Sequence, residues 1–241
     1  MKKNVHGPLS KSNNTPVIAL NYEPPRDNGL NIIYNDQHLI VVSKPSGLLS
    51  VPGNRDDLKD SLETRVRKQF PNATTVHRLD RGTSGVFIMA LNKQAHRSLG
   101  LQFEKRQTEK TYLAVTEGLV AENSGKIDKP MRTDWYNRPT QMIDSYFGKE
   151  AVTYWSVKKR MVDTTLMELK PVTGRSHQIR VHMQWLGHPI LGDDFYATSE
   201  RSHHTKRLML HAAKLVLKHP DSGKLMIFSD PIDWNEDSEK I

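Results

Sequence analysis

The chain has no cysteine among its 241 residues. That excludes disulfides, thiolate-held zinc, iron–sulfur clusters and a cysteine nucleophile, and it fits a reducing compartment. Aromatic residues are only 7% of the total, and no apolar run approaches the roughly 20 residues of a membrane-spanning helix. The first residues carry Lys2 and Lys3 but no apolar stretch. No secretory signal is expected there, and the expected location is cytoplasmic. P-loop, dinucleotide-fingerprint, GxSxG and kinase patterns are missing, so no cofactor is expected. His177 and His182 stand five apart with no carboxylate nearby in sequence. That spacing does not align them on a helix, and no metal is expected.

What is present is positive charge. Thirty-five Lys and Arg oppose 27 Asp and Glu, a net charge of +8. Asp230, Asp233, Glu236, Asp237 and Glu239 crowd the C-terminus, so the rest of the chain is more basic than the total. A basic body suits a polyanionic partner, nucleic acid first; solubility is the other use of such charge. With 36% hydrophobic residues the chain can bury a core.

Residues 1–29 are polar, rich in Asn, Pro and Ser, and are read as a flexible arm. Residues 229–241 are read as an acidic tail, and residues 30–228 as one catalytic domain. Two short strands are expected over 31–43, joined at Asn35-Asp36. Residues 44–53 read as a Pro/Gly loop. Leu58, Leu62 and Val66 recur at four-residue steps and predict an amphipathic helix that Pro71 stops. Residues 86–91 predict a buried strand, and Asn92 a cap for a helix carrying Ala95, Leu99 and Phe103 on one face. Further strands are expected at 111–117, 152–158, 164–170, 208–217 and 224–228. Residues 126–147 read as irregular, with Trp135, Tyr136, Arg138 and Tyr146 among polar neighbours. Ser176 is placed to cap a helix ended by Gly187 and Pro189, and His203-His204 is expected in a solvated loop. Many strands with few helices and no regular βαβ alternation indicate an α+β fold.

Three segments carry possible chemistry. In Val76-His77-Arg78-Leu79-Asp80-Arg81-Gly82-Thr83-Ser84-Gly85, one carboxylate sits at a turn between two arginines. Positive charge favours its ionised form, and an ionised carboxylate can act as a nucleophile. The plain alternative is a turn-capping Asp paired with arginine. In Thr173-Gly174-Arg175-Ser176-His177-Gln178-Ile179-Arg180, a cap at Ser176 would stack His177, Arg180 and Gln184 on one polar face able to hold a carboxylate or phosphate. In Lys110-Thr111-Tyr112, a strand Tyr is able to stack on a nucleobase. The mixture from Arg132 to Arg138 carries a weaker signal for RNA.

Together these segments resemble the RluA family of pseudouridine synthases. His77-Arg78-Leu79-Asp80 with Thr83-Ser84-Gly85 matches that family's catalytic motif. Residues 174–182 match a later motif, and Lys110-Thr111-Tyr112 matches the segment carrying its tyrosine. Lys44-Pro45-Ser46-Gly47-Leu48-Leu49-Ser50-Val51-Pro52-Gly53 and Gly187-His188-Pro189-Ile190-Leu191-Gly192-Asp193 also match, so the likeness spans about residues 32–228. Trp135-Tyr136-Asn137-Arg138-Pro139 and residues 193–197 look like the small members that act on both ribosomal and transfer RNA. An S4 RNA-binding domain, which many relatives carry, does not fit in the 29 residues before the first strand. Arg81-Gly82 falls at the motif's variable pair.

The resemblance implies the pseudouridine synthase fold, a mixed and mostly antiparallel sheet with flanking helices around a central RNA-binding cleft. It implies an isomerase acting on a flipped-out uridine in RNA stem-loops, in 23S ribosomal RNA and in the anticodon arm of transfer RNA, working as a monomer. Asp80, Tyr112 and Arg180 would be catalytic: Asp80 as nucleophile or base, Arg180 as its ion-pair partner, Tyr112 stacked on the uracil and helping to remove the C5 proton. Arg78 would fill the gap left by the flipped base. Arg81, His77, Thr83, Arg138, Arg175 and His177 would serve RNA binding and base flipping. A non-catalytic RNA-binding protein, a glycosidase releasing free base and an enzyme confined to ribosomal RNA are the competing classes.

Overall fold

The computed structural model describes residues 22–197, 199–200, 202 and 205–232. The expected arm up to residue 21, the tail from residue 233 and the His203-His204 pair lie outside them. Residues 22–29 do not behave as a free arm. The Tyr22 ring is buried, its hydroxyl donates to the Asp60 carbonyl at 2.8 Å and accepts from the Leu49 amide at 3.1 Å. The apolar ring gains more by burial than the polar neighbours predict.

Strands β1 (Asn31–Asn35) and β2 (Leu39–Lys44) form the expected hairpin. Asp36 closes it by accepting from the His38 and Leu39 amides. The helix expected from Leu58 onward is shorter. Residues Asp56–Leu58 form a separate 3₁₀ turn, and α1 covers Leu62–Arg67. Ser61 and Thr64 make a reciprocal capping box, which starts the helix there rather than one turn earlier. Then come β3 (Thr74–Thr75), β4 (Ser84–Ala90), α2 (Lys93–Glu104) and β5 (Glu109–Glu117). Asn92 caps α2 by accepting from the Ala95 amide at 2.9 Å.

The stretch expected to be irregular holds strands instead: β6 (Ser124–Asp128), β7 (Met131–Thr133) and β8 (Gln141–Ile143). They are short and polar, with partners distant in sequence or joined by a long tip, so no local period marked them. Next are β9 (Val152–Arg160), β10 (Thr164–Pro171), α3 (Gln178–Trp185), β11 (Leu210–Lys218) and β12 (Leu225–Ser229).

Among the described residues, ten strands make one sheet along β1-β2-β4-β11-β5-β10-β9-β6, with β3 beside β4 and β12 beside β11. Its pairs are antiparallel except β4 with β11. Strand β4 is buried at every residue because both its faces are covered, which also explains its unbroken apolar sequence. Val86, Ile88 and Ala90 pack with Leu39 and Val41 against α2 residues Ala95 and Leu99. Phe87 and Met89 pack with Ile40 and Val42 against α1 residues Leu62 and Val66. Beyond β11, Ile179 and Met183 of α3 join Ala114, Met167 and Leu169. The two-residue period of the strands thus distributes the core over both faces. The architecture is α+β, as expected.

Candidate active site

The Asp80 turn lies between β3 and β4, and the Lys44-to-Ser50 loop braces it. The Thr83 amide donates to the Asp80 carbonyl at 3.1 Å. Ser50 Oγ donates to the Leu79 carbonyl at 2.7 Å and accepts from the Leu79 amide at 3.1 Å. Ser46 Oγ donates to the Gly82 carbonyl, and the Gly47 amide to the Arg81 carbonyl. Lys44 is fully buried. Its Nζ donates to the carbonyls of Leu48 at 2.6 Å, Pro45 at 2.9 Å and Arg81 at 3.0 Å. Burial pushes the Lys44 ammonium down to about 7 against the pull of the Asp80 charge. The sequence marked residues 44–53 as a Pro/Gly loop and a matching motif, but not Lys44 as its anchor. Its signal was a lysine at the end of an otherwise apolar strand.

The far side of the turn is pinned to β11. Gly85 has φ +112°, and a Cβ there would lie 2.3 Å from the Ala212 carbonyl oxygen, so only glycine fits. Ser84 Oγ lies 2.8 Å from His211 Nδ1 and accepts from Arg207 Nη2 at 2.6 Å.

Arg180 arrives from α3, buried. Its Nε and Nη2 donate to the two carboxylate oxygens of Asp193, each at 2.7 Å. Its Nη1 faces Asp80 Oδ2 at 3.4 Å. Burial opposes the guanidinium charge, but the Asp193 bonds and charge, with Asp80 behind them, hold its pKa above the ordinary value. The Asp80 side chain keeps 27% of its surface exposed, whereas that of Asp193 is fully buried. One carboxylate is therefore structural and the other is left open to the cleft. Asp193 is the functional residue that the sequence reading passed over; it stood in a quoted motif, but nothing local showed that it faced Arg180.

His177, not Ser176, precedes α3, and it adopts the left-handed region at φ 53° with no side-chain cap bond. No side chain takes over the cap; Gln178 Oε1 instead ties down the preceding loop, accepting from Thr173 Oγ1 at 2.6 Å and the Arg175 amide at 3.1 Å. Gln184 is exposed, unlike buried Arg180, so the expected polar face of His177, Arg180 and Gln184 does not form. Strain in a non-glycine residue is held here by its surroundings. The His177 ring stacks on Phe195, and Nδ1 lies 2.7 Å from Tyr196 Oη. That oxygen also accepts from the Gln141 amide. Nε2 sits 4.0 Å from Asp80 Oδ2. Burial lowers the His177 pKa, against Asp80.

A pocket is lined by Asp80, Tyr112, Lys110, Arg78, Arg175, His177 and Arg180, and a wider cleft adds His77, Arg106 and Arg138. Burial and the Asp80 charge raise the Tyr112 pKa, so its hydroxyl keeps its proton. Arg78 is exposed. Arg81 pairs with Asp194 at 3.4 Å on an adjoining groove. Arg138 stacks over the Trp135 ring at 3.7 Å, and Arg175 donates to the Glu150 carbonyl. Two expected RNA contacts sit differently. Thr83 is buried beneath the turn. His77 is stacked between Phe87 and Phe103, with Nε2 accepting from the Ile88 amide at 3.1 Å. Burial, and then Lys110, push it down to about 3. His77 is a wall of the cleft, fixed by apolar contacts that lie far off in sequence.

A mixed sheet with Asp80 open at the floor of a largely cationic cleft fits the class of RNA-modifying isomerases that rearrange uridine. The chain matches the family model described as RNA pseudouridylate synthase over residues 38–185. It is 48% identical over 215 residues to the dual-specificity RNA pseudouridine synthase RluA of Escherichia coli strain K12, covering 89% of this chain and 98% of that one. It is 47% identical to the RluA of Vibrio vulnificus over 230 residues, 93% and 92% of the two chains. Among solved structures, human RNA pseudouridylate synthase domain containing 1 superposes with a TM-score of 0.74 at 32% identity, covering 87% and 86%. The chain belongs to the RluA-type RNA pseudouridylate synthase family. It is an enzyme, and it converts uridine in RNA to pseudouridine.

Proposed function

We propose that this enzyme modifies uridines in stem-loops of both large-subunit ribosomal RNA and transfer RNA, as a cytoplasmic monomer, and that Asp80 is the reacting carboxylate. The observation that carries the assignment is the contrast between the two carboxylates around Arg180. Asp193 neutralises and fixes the guanidinium, and Asp80 takes its remaining edge while staying open to the cleft. Names of relatives that act on two RNA classes support the substrate reading.

The reaction breaks the bond from uracil N1 to ribose C1′ and forms one from C5 to C1′. The C5 proton is lost and N1 regains one, so the mass is unchanged. Asp80 either attacks C1′ or takes a ribose proton. The uracil leaves as a delocalised anion, which lessens the need for a second acid of the glycosidase kind. Tyr112 supports the freed base by stacking, and its raised pKa argues against a phenolate base in the resting site. Arg78, exposed at the cleft, occupies the helix where the uridine has swung out, at a flipping cost of about a few kcal/mol. Arg175, Arg138 and Arg81 hold phosphates, and His177 orients Asp80.

The test is Asp80→Asn. RNA binding is expected to persist while tritium release from C5-labelled uridine disappears; retained turnover refutes the assignment. Tyr112→Phe is expected to keep most activity, because stacking needs the ring and not the hydroxyl.

A further inference from the structure

We propose that Tyr146 and Phe147 form a stacking platform for unpaired nucleotides of the RNA strand where it leaves the cleft, outside the pocket for the target uridine. This rests on the reading that the substrate is a structured RNA. Tyr146 is 92% exposed and Phe147 83%. Single exposed apolar side chains are ordinary, but these are two adjacent aromatic rings at one turn, and the turn is built to hold them out. Asp144 Oδ1 accepts from the Tyr146 and Phe147 amides, each at 2.9 Å. Its Oδ2 is ion-paired with Arg132. The Asp144 amide donates to the Pro130 carbonyl, and the Gly148 amide to the Asp144 carbonyl. A Cβ on Gly148 would lie 2.2 Å from the Asp144 carbonyl oxygen, so the turn tolerates only glycine there. A backbone fixed in advance leaves only the side-chain torsions to be ordered when a flat partner lands on the rings.

Two observations point to RNA as that partner. The turn lies outside the cleft lining, and the chain runs on from it to the cleft wall. Glu150 ion-pairs with Arg106 at 2.7 Å and its carbonyl takes Arg175 Nε at 2.9 Å, and both arginines line the cleft. Phe147 precedes Glu150 by three residues, a reach of about 10 Å at most. After the rings come two exposed charges, Lys149 and Glu150, the second already paired with Arg106, and Lys129, next to the Pro130 that carries the turn, stands over the Trp185 ring at 4.8 Å. Aromatic faces flanked by cations suit nucleobases and phosphates rather than an apolar protein surface.

The experiment compares an anticodon stem-loop transcript with the same stem-loop carrying ten-nucleotide single-stranded extensions, reading kcat/KM by tritium release. Wild type is expected to favour the extended RNA about ten-fold, the size of one base stack. Tyr146→Ser/Phe147→Ser should lose that preference, and Tyr146→Phe/Phe147→Tyr should keep it. An equal preference in wild type and the serine variant overturns the proposal, as does a serine variant altered only in self-association by sedimentation. Quenching of a Tyr146→Trp variant by oligouridylate, measured as the difference from wild type, reads the platform without turnover. Quenching supports it even if the stem-loop is not a substrate; its absence overturns it.

Discussion

Asp193 grips Arg180 through two hydrogen bonds of 2.7 Å each, and the third edge of the same guanidinium meets Asp80 at 3.4 Å. The charge that faces the reacting carboxylate is thus positioned by a buried residue that the substrate does not reach.

Removing that support separates stability from catalysis. Asp193→Asn leaves a buried guanidinium half-compensated and should cost about 3–5 kcal/mol in urea unfolding. Adding Arg180→Met to Asp193→Asn, which keeps an oxygen for the Phe195 and Tyr196 amides, should recover part of that stability while turnover stays lost. A double variant that regains turnover would show that Arg180 has no part in the chemistry.

Acid sensitivity should trace in part to His77. Its folded pKa of about 3 lies below the ordinary 6.5, so between those values the unfolded chain binds the extra proton. Stability therefore rises with pH across that window and is lost as pH falls through it, by up to about 1.4 kcal/mol per pH unit. His77→Gln should flatten the dependence of the urea midpoint between pH 4 and 6. An unchanged slope would assign the acid effect elsewhere.

Lys44→Met keeps the length of the side chain and removes the ammonium. Three carbonyls lose this donor: the buried one of Leu48, that of Pro45, and that of Arg81 in the Asp80 turn, which keeps the Gly47 amide. The buried unmet group costs about 1–3 kcal/mol, so a drop in melting temperature is expected. The fall in kcat should exceed the change in KM, since the turn rather than the cleft surface is loosened.

Salt should act on binding and not on the chemical step. A cleft lined by Arg78, Arg106, Arg138 and Arg175 releases counterions from phosphates when RNA docks. Log KM should rise linearly with log salt, and kcat should hold constant. Each Arg→Gln change at these positions should lower the slope by about one.

Much of the architecture was legible locally. Strand β4 announced itself as seven apolar or small residues, α2 by Asn92 and its four-residue spacing, and the β1–β2 turn by Asn35-Asp36. The failures have physical causes. Helix α1 began late because the Ser61 capping box outweighed the apolar step at Leu58. Strands β6 to β8 are polar, short and paired at long range. Ser176 is not the cap because the chain enters α3 through His177 in the left-handed region, with no side-chain cap bond.

Within the site, the motifs named Asp80, Tyr112 and Arg180 without showing that they meet. Their separation along the chain is too great for periodicity or capping to report. By itself the sequence determined the α+β class, the basic character and the residue types able to do the chemistry, because composition, period and turn residues act over a few positions. Only the tertiary structure decided which carboxylate was left open, since that depended on β4 meeting β11 and α3 meeting the loop at Asp193. Burial of Asp193 and exposure of Asp80 are properties of the packed chain, where pairing joins Arg180 to Asp193 across 13 residues and to Asp80 across 100.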